Sequence, residues 1–221
     1  MKVKLTILGL LATAPLMPAQ ILTTNSFGLT PNALIPDGNP VGLLQQFSVS
    51  GFNGLVADVQ LNLNITGGFN GDLYAYLTRP QGQFAVLLNR VGVTGSNPFG
   101  YSDAGMNITL EELAVNNIHD YANASLNGTT WEADGRNVDP QSAGGTLYGT
   151  SSAANLSLFQ NTAADGESTL FIADLSPGGG TADLNSTRLT IVTVPEPQAW
   201  PLLVGGLALL WLRWGRLASS R

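Results

Sequence analysis

Between Val59 and Thr66 the chain alternates without a break. Val59, Leu61, Leu63 and Ile65 are apolar, and Gln60, Asn62, Asn64 and Thr66 are polar. A period of two puts all four apolar side chains on one face of an extended strand and all four polar ones on the other. Such a strand is stable only when another layer covers its apolar face. The same alternation returns at Leu73, Ala75 and Leu77, after the turn-forming Gly67-Gly68-Phe69-Asn70-Gly71. Arg79-Pro80-Gln81-Gly82 makes a further turn, and Phe84 to Leu88 is a continuous apolar run of the kind found in a strand covered on both faces. Leu170–Ala173 and Leu189–Val194 supply two late strands. Short strands joined by glycine-rich turns predict an all-β fold, a β-sandwich or jelly roll. Asn64-Ile65-Thr66 and Asn107-Ile108-Thr109 fit the same picture as polar strand faces.

Thr109 and Glu112 have capping-box spacing, and Leu110, Leu113, Ala114, Ile118 and Tyr121 fall near one helical face. This predicts a short helix there. Residues 123–149 read as a long loop carrying Trp131, and residues 20–46, rich in Thr, Asn, Pro and Gly, as a leader or an edge segment.

The two ends differ from the body. Lys2 and Lys4 precede an apolar stretch from Leu5 to Leu16 and then Met17-Pro18-Ala19, the layout of a signal peptide over residues 1–19. At the other end, an apolar run from Ala199 to Leu212 is followed by Arg213, Arg216 and Arg221. Its length, about 21 Å as a helix, is short against a hydrocarbon core of about 30 Å. Interfacial tryptophans and a snorkelling Arg213 extend the usable length, so a marginal transmembrane helix with a cytoplasmic C-terminus is expected. Export at one end and an anchor at the other agree with each other. The body between them keeps only Arg79, Arg90, Arg136 and Arg188 as cations, and the whole chain carries a net charge of −6. A surface of that sign excludes nucleic acid as a partner. There is no cysteine, so an exported fold must be held by its core alone.

The order Pro195-Glu196-Pro197, apolar helix 199–212, then Arg213 and Arg216 resembles the PEP-CTERM sorting signal of Gram-negative bacteria, here over residues 195–221. The resemblance implies processing by an exosortase-type transpeptidase, transient anchoring in the inner membrane, and delivery to the cell surface or an extracellular polysaccharide matrix. Three blocks of the body, 64–82 with Leu87-Leu88, Gly100–Gly105, and 170–175 with Arg188–Val194, resemble the P domain of proprotein convertases. That likeness covers roughly residues 47–194 and implies an eight-stranded jelly roll. Gly166-Glu167-Ser168 and Ser186-Thr187 stand where that family usually has tryptophan. In convertases the P domain accompanies a subtilisin-like protease domain, for which this chain has no room.

The chemistry-bearing residues are few. His119 is the single histidine, expected on the surface of the short helix. A Ser102–His119 nucleophile pair would need a strand–turn–helix setting that the pattern does not offer, so no catalytic residue is assigned and the chain is read as a non-enzyme. Transition metals want histidine or cysteine, whereas calcium wants carboxylates in loops. Asp72, Asp103 and Asp174 in the family-like blocks, and Asp134 beside Glu132 and Asp139, are the calcium candidates; the plainer reading is that they cap turns. Tyr74, Tyr76, Tyr101 and Trp131 are candidates for stacking on sugar rings, against core or edge packing. Three functions stand: a structural or adhesive matrix protein, as the sorting-signal resemblance implies; a calcium-assisted carbohydrate-binding module; and, implied by the P-domain resemblance alone, an accessory partner of a separately encoded subtilisin-like serine protease.

Overall fold

The structure is a computed structural model that describes residues 21–122, 124–195 and 206. The apolar run 5–16, most of the run 199–212, and Glu196, Pro197, Arg213 and Arg216 lie outside the described residues. Among the described residues no helix is long and apolar enough to cross a membrane.

Ten strands form two sheets. They are β1 (Thr23–Leu29), β2 (Ala33–Ile35), β3 (Leu43–Val49), β4 (Gly54–Gly67), β5 (Leu73–Thr78), β6 (Phe84–Asn89), β7 (Met106–Leu110), β8 (Asn127–Trp131), β9 (Gly166–Asp174) and β10 (Ala182–Pro195). The first sheet has six strands in the order β1-β10-β4-β7-β8, with β2 also paired to β10; the second has four, β3-β9-β5-β6. All pairings are antiparallel except β7 with β8. The expectation of an all-β sandwich holds, with ten strands where the family resemblance implied eight.

The alternating segment Val59–Thr66 lies in β4. Val59, Leu61, Leu63 and Ile65 are buried, and they meet Leu73, Ala75, Leu77, Leu170 and Ile172 of the opposite sheet in one core. β6 is buried along nearly its whole length, as its unbroken apolar run predicts. Its outer side is covered by the loop 134–154, through bonds from Val86 N–H to Ala154 and from Gly135 N–H to Val86. That cover removes an exposed sheet edge.

Residues 20–46 supply the edge strands β1 and β2 and most of β3's start. The short helix expected around Thr109 is absent. Leu110 instead ends β7, opposite Leu61 and Trp131, while Leu113 and Val115 are 90% and 93% exposed. Glu112 forms no capping box with Thr109; its Oε2 accepts from Ser157 N–H, in the first turn of the 3-10 helix Leu156–Phe159. A single 3-10 turn, Ile118–Asp120, forms because the Asn117 side chain accepts from His119 N–H, a local bond that competes with helix propagation. The segment read as a long loop contains β8 and a six-residue helical turn, Gly144–Gly149.

Candidate functional site

Four features carry the chemistry. The first is the outward face of the four-stranded sheet. Along β5, Leu73, Ala75 and Leu77 point into the core, so Tyr74 and Tyr76 point out and are half-buried. On β9, paired in register, Phe171 falls opposite Tyr76 and between the core residues Leu170 and Ile172. The Tyr76 and Phe171 rings stack with centroids 4.8 Å apart and planes 19° apart. Phe84 lies 5.0 Å from Tyr76, and Tyr74 lies 5.9 Å from Tyr76. Leu44, paired with Phe171 on the edge strand β3, is 58% exposed. Burial pushes the Tyr74 hydroxyl up to about 12, with Tyr76 and Asp139 adding to it. The result is an apolar, aromatic platform on the solvent side of a sheet.

The second feature is acidic. Asp72 closes the 3-10 turn Asn70–Asp72, and Asp174 ends β9 beside it, with Leu73 as its cross-strand partner. Leu175 N–H donates to the Asp72 carbonyl, and Ser176 N–H donates to Asp174 Oδ1. Asp174 is fully buried and its Oδ2 has no partner. Burial, then the Asp174 charge, raise Asp72 to about 6; Arg90 and a bond from Ser176 oppose them. Asp174 is raised too, first by burial, with Asp37 contributing. Among the described residues no group of three His, Cys, Asp or Glu side chains converges closely enough to hold a metal ion.

The third feature is the network around His119, which is fully buried and not on the surface as expected. Its Nδ1 lies 2.7 Å from Asp134 Oδ2 and its Nε2 3.1 Å from the Val93 carbonyl. Both ring nitrogens face acceptors, which leaves neither free to take a proton from a nucleophile. Ser102 is exposed and makes no bond to it. Asp134 also accepts from Asn89 N–H and from the Arg136 guanidinium. Its two oxygens are therefore occupied by protein donors.

The fourth is a cleft of about 580 Å³ at the end of the six-stranded sheet, where β4 stops. Asp103, Tyr121, Asn64, Asn107 and Asn127 are among its lining. It exists because the loop 98–105 lies against the Asn70–Asp72 turn. A Cβ on Gly71 would meet the Phe99 carbonyl oxygen at 2.5 Å and Tyr101 N at 2.7 Å, so only glycine permits that approach.

The structure thus divides the candidate residues. Asp72 and Asp174 come together, Asp103 lines the cleft, and Asp134 belongs to the His119 network. Tyr74 and Tyr76 share one face. Tyr101 packs on Gly92 and against Tyr121, with ring centroids 4.4 Å apart. Trp131 is core, 7% exposed, with its indole N–H donating to Thr129 Oγ1. Phe84 and Phe171 are not site candidates in the sequence reading, and Asn64 and Asn107 appear there only as polar strand faces. For Phe171 the signal was available, since period two places it opposite Leu170 and Ile172.

No family model matches the chain, and no curated protein matches it by sequence. Among solved structures it is similar to the complex of Aeromonas sobria serine protease with the chaperone ORF2. That likeness has 14% identity and a TM-score of 0.45, over 79% of this chain and 27% of that one. It is similar also to a structure of the Aeromonas sobria serine protease, at 12% identity and a TM-score of 0.46, over 80% and 28%. The chain spans little more than a quarter of those chains.

Proposed function

We propose that this chain is an exported, non-catalytic, P-domain-like β-sandwich that adheres to extracellular polysaccharide through the outward face of its four-stranded sheet. The observation that carries the reading is the half-buried aromatic cluster on this face, Tyr76 stacked on Phe171 with Tyr74 and Phe84 beside it. Flat aromatic surface of this kind matches the C–H faces of sugar rings, which are apolar and planar. The commitment of His119 to Asp134 and Val93 supports the non-catalytic part. The PEP-CTERM-like tail, with Pro195, Glu196, Pro197, Arg213 and Arg216, supports exosortase processing, transient membrane anchoring and release at the surface.

The test is retardation of the full chain in gels cast with neutral or acidic bacterial exopolysaccharide. Tyr76→Ala and Phe171→Ala are expected to weaken retention roughly 3- to 10-fold each, in line with the loss of one aromatic contact. Unchanged retention in both variants would overturn the reading. It would return weight to a protein partner, such as a separately encoded subtilisin-like protease, which the P-domain resemblance supports. Loss of the tail from the mature protein in its own host, and its retention when the exosortase is deleted, checks the sorting half separately.

A further inference from the structure

The asparagines of the cleft form a row. Asn64 of β4 is the cross-strand partner of Asn107 of β7, and Asn107 is the partner of Asn127 of β8. Three adjacent strands therefore present three amides side by side on the cleft wall. Other outward polar side chains of this sheet satisfy one another or the backbone. The Asn62 amide donates to the Ile108 carbonyl, Asn185 donates to Thr66 Oγ1, and Ser26 and Thr190 share a bond. Among the described residues, the amides of Asn64, Asn107 and Asn127 have no protein partner. Each offers a carbonyl acceptor and two N–H donors to whatever enters.

Opposite them stands an oriented acceptor. Asp103 Oδ2 accepts from the Tyr121 hydroxyl at 3.1 Å, and that hydroxyl accepts from the Asn70 amide, also at 3.1 Å. Asn70 is fully buried and Tyr121 is 3% exposed. Asp103 is itself exposed, so a relay anchored in the core aims a surface carboxylate. Burial raises the Tyr121 hydroxyl well above the ordinary tyrosine range, which keeps it a donor. Among the described residues, Asp103 Oδ1 has no hydrogen-bond partner.

Among the described residues, the lining contains no Lys, Arg or His. Nothing there compensates a phosphate, a sulfate or a carboxylate, and Asp103 repels all three. Unpartnered amides and a carboxylate suit a ligand that is rich in hydroxyls and uncharged. A volume of about 580 Å³ lies within the range of small-molecule sites. We propose that the cleft formed by Asn64, Asn107, Asn127 and Asp103 binds a neutral sugar unit of one or two rings. This site shares no residue with the aromatic face and does not depend on it.

Saturation-transfer NMR of the full chain, held in a zwitterionic detergent that carries no sugar headgroup, tests this. The probes are cellobiose, maltose and lactose, each set against a disaccharide bearing a uronic acid. The expected result is transfer to the neutral disaccharides and none to the acidic one. Asn107→Ala and Asp103→Asn should each weaken binding about tenfold, the effect of one lost hydrogen bond to a well-placed polar or charged group. The measurements are made in the Tyr76→Ala background, which removes the contribution of the aromatic face. Asn107 sits on the solvent face of β7, so its variant is informative even if Asp103→Asn lowers the melting temperature. Three results would each overturn the proposal: no neutral sugar binds, the uronic acid binds as well, or binding survives Asn107→Ala. If Tyr76→Ala alone abolishes binding, the sugar sits on the aromatic face and the cleft is not a site.

Discussion

Asp72 and Asp174 make the stability of this protein depend on pH. A carboxyl raised to about 6 holds its proton more tightly in the folded chain than in the unfolded one. The sign follows: protonation favours the folded state, so stability grows as pH falls from about 6 towards 4 and is lost as pH rises through 6. For Asp72, about 5% exposed, the shift corresponds to about 2–3 kcal/mol. The melting temperature is therefore expected to be higher at pH 5 than at pH 7. Asp72→Asn should flatten that profile and raise the pH 7 value; an unaltered profile in the variant would place the dependence elsewhere. At this scale the sequence showed which residue types were present but not which would meet. Asp72 and Asp174 lie a hundred residues apart, and only the β5–β9 pairing joins them. His119 looked like a surface residue because its partner Asp134 and its cover come from distant loops.

Arg79 controls an element. It follows β5 and is 3% exposed, with its guanidinium donating to the carbonyls of Ala163 and Ala164 and to Ser168 Oγ. It fastens the β5–β6 hairpin to the start of β9. Gly166 helps, since its φ of 127° and the nearness of Pro80 admit no side chain. Arg79→Met keeps the stem but strands those acceptors in the interior, and should cost about 2–4 kcal/mol. Chemical denaturation measures it, and a cost below about 0.5 kcal/mol would show that water replaces the guanidinium. Elements whose own residues alternate, β4, β5 and β10, were legible because side-chain period decides which face is buried. The segment after β7 suggests a helix because Leu110 and Ile118 sit at helical spacing while belonging to separate elements. β1, β2 and β8 are edge strands; β1 and β8 are Thr- and Asn-rich and β2 has only three residues, so none bears a strong pattern. Tyr74 and Tyr76 were legible as outward residues for the same reason that β5 was. The roles of Tyr101 and Trp131 were not, because they depend on Tyr121, which packs against both.

At the scale of the molecule, the two sheets present opposite characters to solvent, aromatic on the four-stranded face and amide-rich on the six-stranded one. No disulfide joins them, and the shared core alone holds the layers together. The centre of the larger sheet is the pair β4–β10, each 14 residues long and matched from Gly54–Pro195 to Gly67–Ala182. Its span is roughly 45 Å. The cleft lies at the Gly67 end of that pair, and the chain continues towards its C-terminus from the Pro195 end. A tug between a ligand seated in the cleft and a tether on the tail would run along the strand axis. It would slide β10 past β4 and meet every rung of the ladder at once. Pulling the same strand sideways would unzip the rungs singly. Single-molecule extension from the tail against the cleft end should therefore rupture at a higher force than extension across the sheet, which would make this sandwich a better rope than its modest size suggests.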